Sequence, residues 1–438
     1  MDILPKSLDH SSTSSIADAH VEEPTRAPTA DQLPSILGLG RASRTGVERR
    51  WDSLMCSRDT REALLDAQTM SHIQEYGRHV EHFIGTVKLP VGLVGPLKVN
   101  GNFASGEYYI PLATTEAALV ASYHRGAQLI SAAGGCRAVL LEEGVGRAPG
   151  FVFRDLDEAV SFMGWIEANT DDFRREAEAT TRHGKLTATE TTIVGNHVYV
   201  SFMFVTGNAA GQNMVTIATQ AICDYIMAVC PVRPQRYFIE ANLSRDKRQS
   251  ARAFSSVRGK KVAAEIVLPA SLVRSRLRTT PHRMEEYVRM ATVAALMSGT
   301  VGIHAQFANG LAALFMTCGQ DVASVTESSV GVSRAEVTDA GDLYATIVLP
   351  NLIVGTVGGG TQLPSQRGCL EILGLDGPES SRALAEVCAA LCLAGELSLV
   401  GALCSGSFTR AHRSLGRTRR DARPPSAMDG TSRALDER

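Results

Sequence analysis

Four ionisable residues stand where apolar surroundings would leave them needing a partner. Glu116 begins the otherwise apolar run AALVAS, and Lys247 lies in SRDKRQS between Asp246 and Arg248. Asp321 in CGQDVAS follows a stretch from Met290 to Gln320 with no Asp, Glu, Lys or Arg, and His412 lies just past another apolar run. These residue types suit proton transfer and the stabilisation of negative charge. A carboxylate at the edge of a buried helix costs free energy unless a cation or a proton satisfies it. Each also has an ordinary structural reading: Glu116 at a helix N-terminus, Asp321 ending a helix, Lys247 on a solvated loop, His412 on the surface. Spacing alone does not bring the four together.

Two glycine-rich runs could receive an anionic ligand on exposed backbone amides. One is Val354–Gly355–Thr356–Val357–Gly358–Gly359–Gly360–Thr361, after a strand-like run. The other is Gly207–Asn208–Ala209–Ala210–Gly211–Gln212–Asn213–Met214, between a strand-like and a helix-like run. Neither is GxGxxG with an acidic residue in the usual ribose position, so a Rossmann fold is not supported. Each run fits a packing turn equally well.

The elements that must position these residues read as α+β. Residues 1–45 are rich in Ser, Thr, Pro and charge and read as a disordered leader. Residues 46–84 read as a small helical segment, and IGTVKLPVGLVGPL as extended chain. A helix is predicted to open at Thr114–Thr115–Glu116. CRAVLLEE reads as a strand, DLDEAVSFMGWIEAN and DDFRREAEATT as amphipathic helices, and LTATETTIVGNHVYVSFMFVT as two strands joined at Val194–Gly195–Asn196. A helix (NMVTIATQAICDYIMAV) and a strand (RYFIEANL) follow. The charge-free stretch reads as one long buried helix over 290–318, with a transmembrane span as the weaker alternative. KVAAEIVLP and LYATIVLPNLIVGT read as strands and 379–404 as a long apolar helix. The tail 413–438 reads as mobile.

Net charge is −2 with 21% charged residues, which gives no reason to expect nucleic acid or an anionic membrane as main partner. The nine cysteines form no CxxC. Cys388 and Cys392 are one helical turn apart with no completing ligand nearby, so no metal site is expected. A reducing, cytoplasmic setting fits best, and no targeting segment is visible at the start.

The same stretches, in the same order, resemble the 3-hydroxy-3-methylglutaryl-coenzyme A reductase family, in its soluble, class I-like catalytic domain. The matching segments run from about Ile84 to His412: IGTVKLPVGLVGPL, PLATTEAALVAS, GNAAGQNM, NLSRDKRQSARAF, RGKKVAAEIVLP, CGQDVAS, LPNLIVGTVGGGT and AGELSL. The resemblance implies two hydride transfers from NADPH, taking an acyl thioester through an aldehyde to an alcohol. It assigns Lys247 to the oxyanion, Glu116 to proton donation at the carbonyl oxygen, Asp321 to a place between them, and His412 to protonation of the departing thiolate. It places Arg147, Asp246, Arg248, Arg289 and Asn309 at the acyl end, and Ser122 and Arg125 at the coenzyme A. Arg182, Asn208, Gly211, Asn213, Met214, Gly358, Gly359 and Gly360 fall at the nicotinamide nucleotide, with Arg417 towards its 2′-phosphate.

The resemblance further implies a large domain (85–148 and 239–412) around the long central buried helix at 290–318. A small ferredoxin-like cofactor domain (149–238) would be inserted into it. A homodimer or homotetramer with sites between subunits is expected. Five positions depart from the family pattern: Asn208 for Asp, Gln212 for Met, Glu240 for Ser, Gln306 for His and Arg289 for Lys. They leave two alternatives open: the same chemistry on a different acyl thioester, or a degenerate, non-catalytic paralogue acting as a binding subunit.

Overall fold

The structure, a computed structural model, describes residues 43–409. Contacts divide the chain into two units, Met1–Thr86 and Val87–Arg438.

In the first unit, α1 (Arg44–Asp52), α2 (Arg58–Leu64), α3 (Ala67–Ser71) and α4 (Ile73–Tyr76) are short. Ser43, Ser57 and Asp66 cap the first three by accepting the amides of Gly46, Thr60 and Thr69. Val47, Trp51, Leu65, Ile73 and Phe83 form the core, and the Trp51 indole donates to the Ile84 carbonyl at 2.7 Å.

The second unit is mixed α/β. The hairpin β1 (Val91–Gly101) and β2 (Ser105–Ala113) leads through α5 (Leu119–Ala132) into β3 (Cys136–Arg147), which runs parallel to the end of β1. β3 serves two sheets. Residues 137–144 pair antiparallel with β8 (Gly259–Leu268), whereas Val145–Arg147 pair with β6 (His197–Val205). The first sheet continues from β8 through β10 (Leu343–Leu352) to β9 (Val332–Val337). The second holds β4 (Gly150–Val152), β5 (Lys185–Val194), β6 and β7 (Arg236–Phe238) in the antiparallel order β7-β4-β6-β5. In the chain these strands alternate with α6 (Leu156–Ala168), α7 (Thr170–Ala179) and α8 (Gln212–Val229). The turn between β5 and β6 lies where the sequence predicts it. β7 is shorter than the predicted RYFIEANL strand: after Ala241 donates to the Ala148 carbonyl, the Glu240 carboxylate takes the Asn242 amide and Asn242 turns to φ 66°.

The predicted helix over 290–318 is corrected. A short α9 (Ala270–Leu272) precedes α10 (Pro281–Ser298), which stops at Gly299 (φ 71°). Gly302 follows with φ 104°, where a Cβ would stand 2.6 Å from the Gly331 carbonyl oxygen. These backbone conformations suit glycine and end a helix. The chain runs extended at Ile303 beside Val332 before α11 (Phe307–Thr317) begins. Lack of charge did not mean burial here: Met290, Val293, Leu296 and Met297 on α10 are all more than half exposed. After α12 (Val325–Ser328) and α13 (Pro364–Leu373) comes the buried long helix, α14 (Ser380–Cys404).

Among the described residues, α14 is the one helix long and apolar enough to cross a membrane, and 89% of its most apolar window is buried inside the fold. Its two inward acids serve backbone. Glu386 accepts from the amides of Phe103 and Ala104 at 2.8 Å, and Glu396 from those of Ala305 and Gln306. α5 packs against α14 so closely that a Cβ on Gly126 would stand 1.9 Å from the Ala394 oxygen. α5 also starts later than predicted. Ala118 takes φ 73°, and the Thr114 hydroxyl accepts the Glu116 amide at 2.9 Å, which holds Glu116 in the preceding turn.

His304 secures the entry to α11. Its Nδ1 accepts the Phe307 amide at 3.4 Å and its ring stacks on Phe307 at 4.2 Å. Burial pushes this imidazole down to about 4 from 6.5. A histidine lowered in the fold stabilises fully above the unfolded value, and that contribution is lost as pH falls from 6.5 towards 4. From pH 7 to pH 5 the wild type is therefore expected to lose up to about 2 kcal/mol through this group. Thermal unfolding at the two pH values tests it: His304→Asn should show a smaller loss, and an equal loss would refute the assignment.

Candidate active site

The loop between β7 and β8 carries Lys247 in a conformation that side chains impose. Asn242, Arg245 and Lys247 have φ of 66°, 66° and 54°. Non-glycine residues persist there only when their surroundings fix them. Arg245 donates to the carbonyls of Ser256 and Val257. Asp246 bridges two guanidiniums, Arg147 at 2.9 Å and Arg258 at 2.6 Å. The Lys247 amide donates to Glu327 at 3.3 Å, and Glu327 also receives Arg258. Burial pushes the Glu327 carboxyl up, against the pull of Arg258.

Thus held, Lys247 points its Nζ to Asp321 Oδ2 at 2.8 Å. The hydrogen bond to Asp321 raises the Lys247 ammonium above its ordinary range, so it stays charged. Asp321 also accepts the Ala323 amide at 3.0 Å, which starts a short helical turn. Side-chain exposures of 44% and 41% leave the pair open to a ligand. A cation fixed by a neighbouring carboxylate, with its approach free, is suited to an oxygen that gains negative charge.

Glu116 belongs to a different cluster. It lines a cavity of about 490 Å³ with Ser122, Arg125, Gln306 and Asn309. Ser122 and Arg125 are both tied to Ser398 of α14: hydroxyl to hydroxyl at 3.0 Å, and guanidinium to Oγ at 3.0 Å and to the carbonyl at 2.6 Å. Burial lowers the Arg125 guanidinium from its usual value. Among the described residues no hydrogen bond or ion pair joins Glu116 to Lys247 or Asp321.

The glycine runs meet each other. The Gln320 side-chain amide pairs with Gly355 in both directions at 2.8 Å. The Thr356 amide donates to the Asn208 carbonyl at 2.8 Å, and a Cβ on Gly355 would stand 2.3 Å from the Ala210 nitrogen. Gly319 (φ 65°) and Gly360 touch backbone to backbone; a Cβ on Gly319 would lie 2.3 Å from the Gly360 oxygen. Gly358 and Gly359 differ: at φ 78° and 52° they have open space where a Cβ would be, so a ligand can approach. Gly211, at φ 82°, starts α8, whose first turn carries Asn213 and Met214. Met214 Sδ accepts the Thr181 hydroxyl at 2.9 Å, which draws the turn bearing the exposed Arg182 to this helix start.

This predicts that Gly319→Ala pushes the turn before Asp321 away from the 354–361 run. It should cost about 2–4 kcal/mol in denaturant unfolding and weaken nucleotide binding in the same protein. A loss under about 0.5 kcal/mol would show that the contact relaxes freely.

Three departures from the resemblance acquire structural reasons. The Asn208 amide donates to the carbonyls of Pro378 (2.8 Å) and Gly377 (3.3 Å), which an aspartate could not do, while its oxygen accepts the Ser381 amide. Gln306 is buried and its amide donates to the Gly395 carbonyl. The Gln212 amide donates to Ser324 at 3.2 Å.

The structure thus brings Lys247, Asp321, Asp246 and Arg147 into one network and Glu116, Ser122, Arg125 and Asn309 around one cavity. Arg248 is exposed, and Arg289, exposed on α10, makes no hydrogen bond or ion pair among the described residues. His412 and Arg417 lie outside the described residues. Sequence reasoning missed Arg258, Glu327, Gln320 and Ser398. One signal was available for Arg258: a charge immediately before a strand whose alternate residues are apolar, in register with the buried face.

Comparison with known proteins follows the same line. A family model described as hydroxymethylglutaryl-coenzyme A reductase matches residues 46–417. The 3-hydroxy-3-methylglutaryl-coenzyme A reductase of Pyrococcus horikoshii is 44% identical, over 78% of this chain and 84% of its own. That of Aeropyrum pernix is 42% identical, over 86% and 91%. The reductase 1 of Dictyostelium discoideum is 34% identical, over 82% and 68%. Among solved structures, the class II reductase of Streptococcus pneumoniae bound to NADPH in open conformations has a TM-score of 0.61 at 18% identity, covering 82% of this chain and 99% of that one. That likeness concerns the fold.

Proposed function

We propose that this chain, which belongs to the hydroxymethylglutaryl-coenzyme A reductase family, reduces 3-hydroxy-3-methylglutaryl-coenzyme A to mevalonate and coenzyme A with two NADPH. The observation that carries this is the Lys247–Asp321 pair at 2.8 Å, on a loop that the Arg245 and Asp246 side chains and the Lys247 amide bond to the frame. The degenerate alternative would leave no reason to hold Arg245 and Lys247 itself in left-handed backbone conformations.

The residues present suit the dinucleotide. Gly358 and Gly359 offer open backbone beside Asn208, and the start of α8 at Gly211, which has no side-chain cap among the described residues, can offer its amides to phosphate. The bound NADPH would supply hydride. Lys247 would hold the carbonyl oxygen as negative charge develops there, with Asp321 fixing the direction of its ammonium. Glu116 would give that oxygen its proton. His412 would protonate the departing sulfur, so that neutral thiol leaves. Because Glu116 stands in a separate cavity within one chain, we read the site as completed by the Glu116 of a second copy, in a homodimer or homotetramer. The βαββαβ order β7-β4-β6-β5 supports an inserted ferredoxin-like cofactor domain. We place the protein in the cytoplasm.

The test is a thioester panel with each nicotinamide cofactor. Preference for the hydroxymethylglutaryl thioester with NADPH is expected. A higher kcat/KM for another acyl-coenzyme A would transfer the chemistry to that substrate.

A further inference from the structure

Arg147 ends β3 as a half-satisfied cation in a crowded place. Its side chain is 10% exposed. Nη1 meets Glu240 at 3.2 Å and Asp246 at 2.9 Å, Nη2 reaches the Gln212 carbonyl only at 3.5 Å, and Nε is buried without a partner among the described residues. Glu240 is held there from three sides, since it also accepts the Ser244 hydroxyl and the Asn242 amide, each at 2.7 Å. Arg147 and Ser244 both line a cavity of about 150 Å³ at the base of the Lys247 loop. Asp246, which Arg147 shares with Arg258, is the residue before Lys247.

Two guanidiniums, Arg147 and Arg258, face three carboxyl groups: Glu240, Asp246 and Glu327. Asp246 and Glu327 brace the loop through Arg258 and the Lys247 amide, so they have structural duties. Glu240 differs. Its partners are Arg147, the Ser244 hydroxyl and the amide two residues on. A cation, a hydroxyl and an amide are the donors a carboxylate-bearing ligand would need at this spot.

We propose that Glu240 is an internal competitor for Arg147, which a substrate's terminal carboxylate must displace, and so sets how strongly the site discriminates between carboxylate-bearing and uncharged acyl groups. This rests on the reading of the site as an acyl-coenzyme A reductase with its acyl end at Arg147. A carboxylate arriving while Glu240 stays in place would share one guanidinium with two other anions. With Glu240 turned out, the newcomer inherits Arg147 and Ser244. Affinity for a carboxylate-bearing acyl group is therefore reduced by the exchange, and affinity for an uncharged acyl group is not.

Calorimetric binding without any nicotinamide cofactor tests this independently of turnover. Two ligands are compared, hydroxymethylglutaryl-coenzyme A and 3-hydroxy-3-methylbutyryl-coenzyme A, whose acyl group is uncharged. Glu240→Ser should tighten the first by roughly tenfold, the scale of one charge-assisted hydrogen bond, and change the second by less than about twofold. Glu240→Gln, which keeps the shape, should tighten the first in the same direction, and unfolding midpoints near wild type confirm that both variants fold. Unchanged or weaker binding of the carboxylate-bearing ligand, or equal tightening of both, would overturn the proposal. A protein that shows these shifts but no NADPH oxidation would instead refute the reductase reading.

Discussion

Replacing Lys247 by alanine is expected to lower kcat by about a hundredfold or more while the protein stays folded. The ammonium is nearly half exposed, and its pair with Asp321 resembles surface ion pairs that contribute about 0–1 kcal/mol. The fold therefore loses little. On the proposed reading the reaction loses the positive charge that meets the developing oxyanion, and an interaction made mainly in the transition state appears in kcat more than in KM. Lys247→Arg should recover little. The guanidinium is planar and cannot place its charge where the ammonium points along the Asp321 bond. Steady-state kinetics with unfolding curves on the same samples checks this. A kcat loss under about tenfold in Lys247→Ala would remove the lysine from the chemistry.

The second large effect is on stability. Arg258 is 1% exposed and its guanidinium is fully committed, to Asp246, to Glu327 and to the Gly146 carbonyl at 2.9 Å. Arg258→Met leaves Glu327 with its acid group in the interior and no cation, a change that typically costs about 3–5 kcal/mol. It also leaves Asp246, the residue before Lys247, with Arg147 as its one guanidinium among the described residues, so KM and kcat should both worsen. The double variant Arg258→Met with Glu327→Leu removes the stranded acid and should regain more than half of the lost stability. Denaturant unfolding of both variants decides it. A single-variant loss under about 1 kcal/mol, or no recovery in the double, would show that the pair is not the brace described.

The comparison of sequence with structure turns on particular residues. Strands were legible where apolar residues alternate, as in Val198, Val200, Phe202 and Phe204 of β6, because a sheet with one buried face imposes that period. The helix over 290–318 misled because charge is silent about backbone. Gly299 and Gly302 carry the break, and only their left-handed conformations reveal it. α14 was legible as apolar, but Glu386 and Glu396 inside it look like errors until the amides they accept are seen. In the site, Lys247 and Asp321 could be nominated one by one, and the fold supplies their 2.8 Å meeting. Asn208 and Gln306 stood out as departures, yet each amide bonds the frame in a way that only three-dimensional contacts disclose. Arg258 was not legible as a brace, because its partners lie 12 and 69 residues away in sequence.

The most direct measurement of the central claim is the stoichiometry of a single reaction mixture. NADPH oxidised and free thiol released are followed together with hydroxymethylglutaryl-coenzyme A as substrate. The account predicts two NADPH oxidised for each thiol released, with mevalonate as the product. No oxidation, or one NADPH per thiol with the aldehyde accumulating, would contradict it.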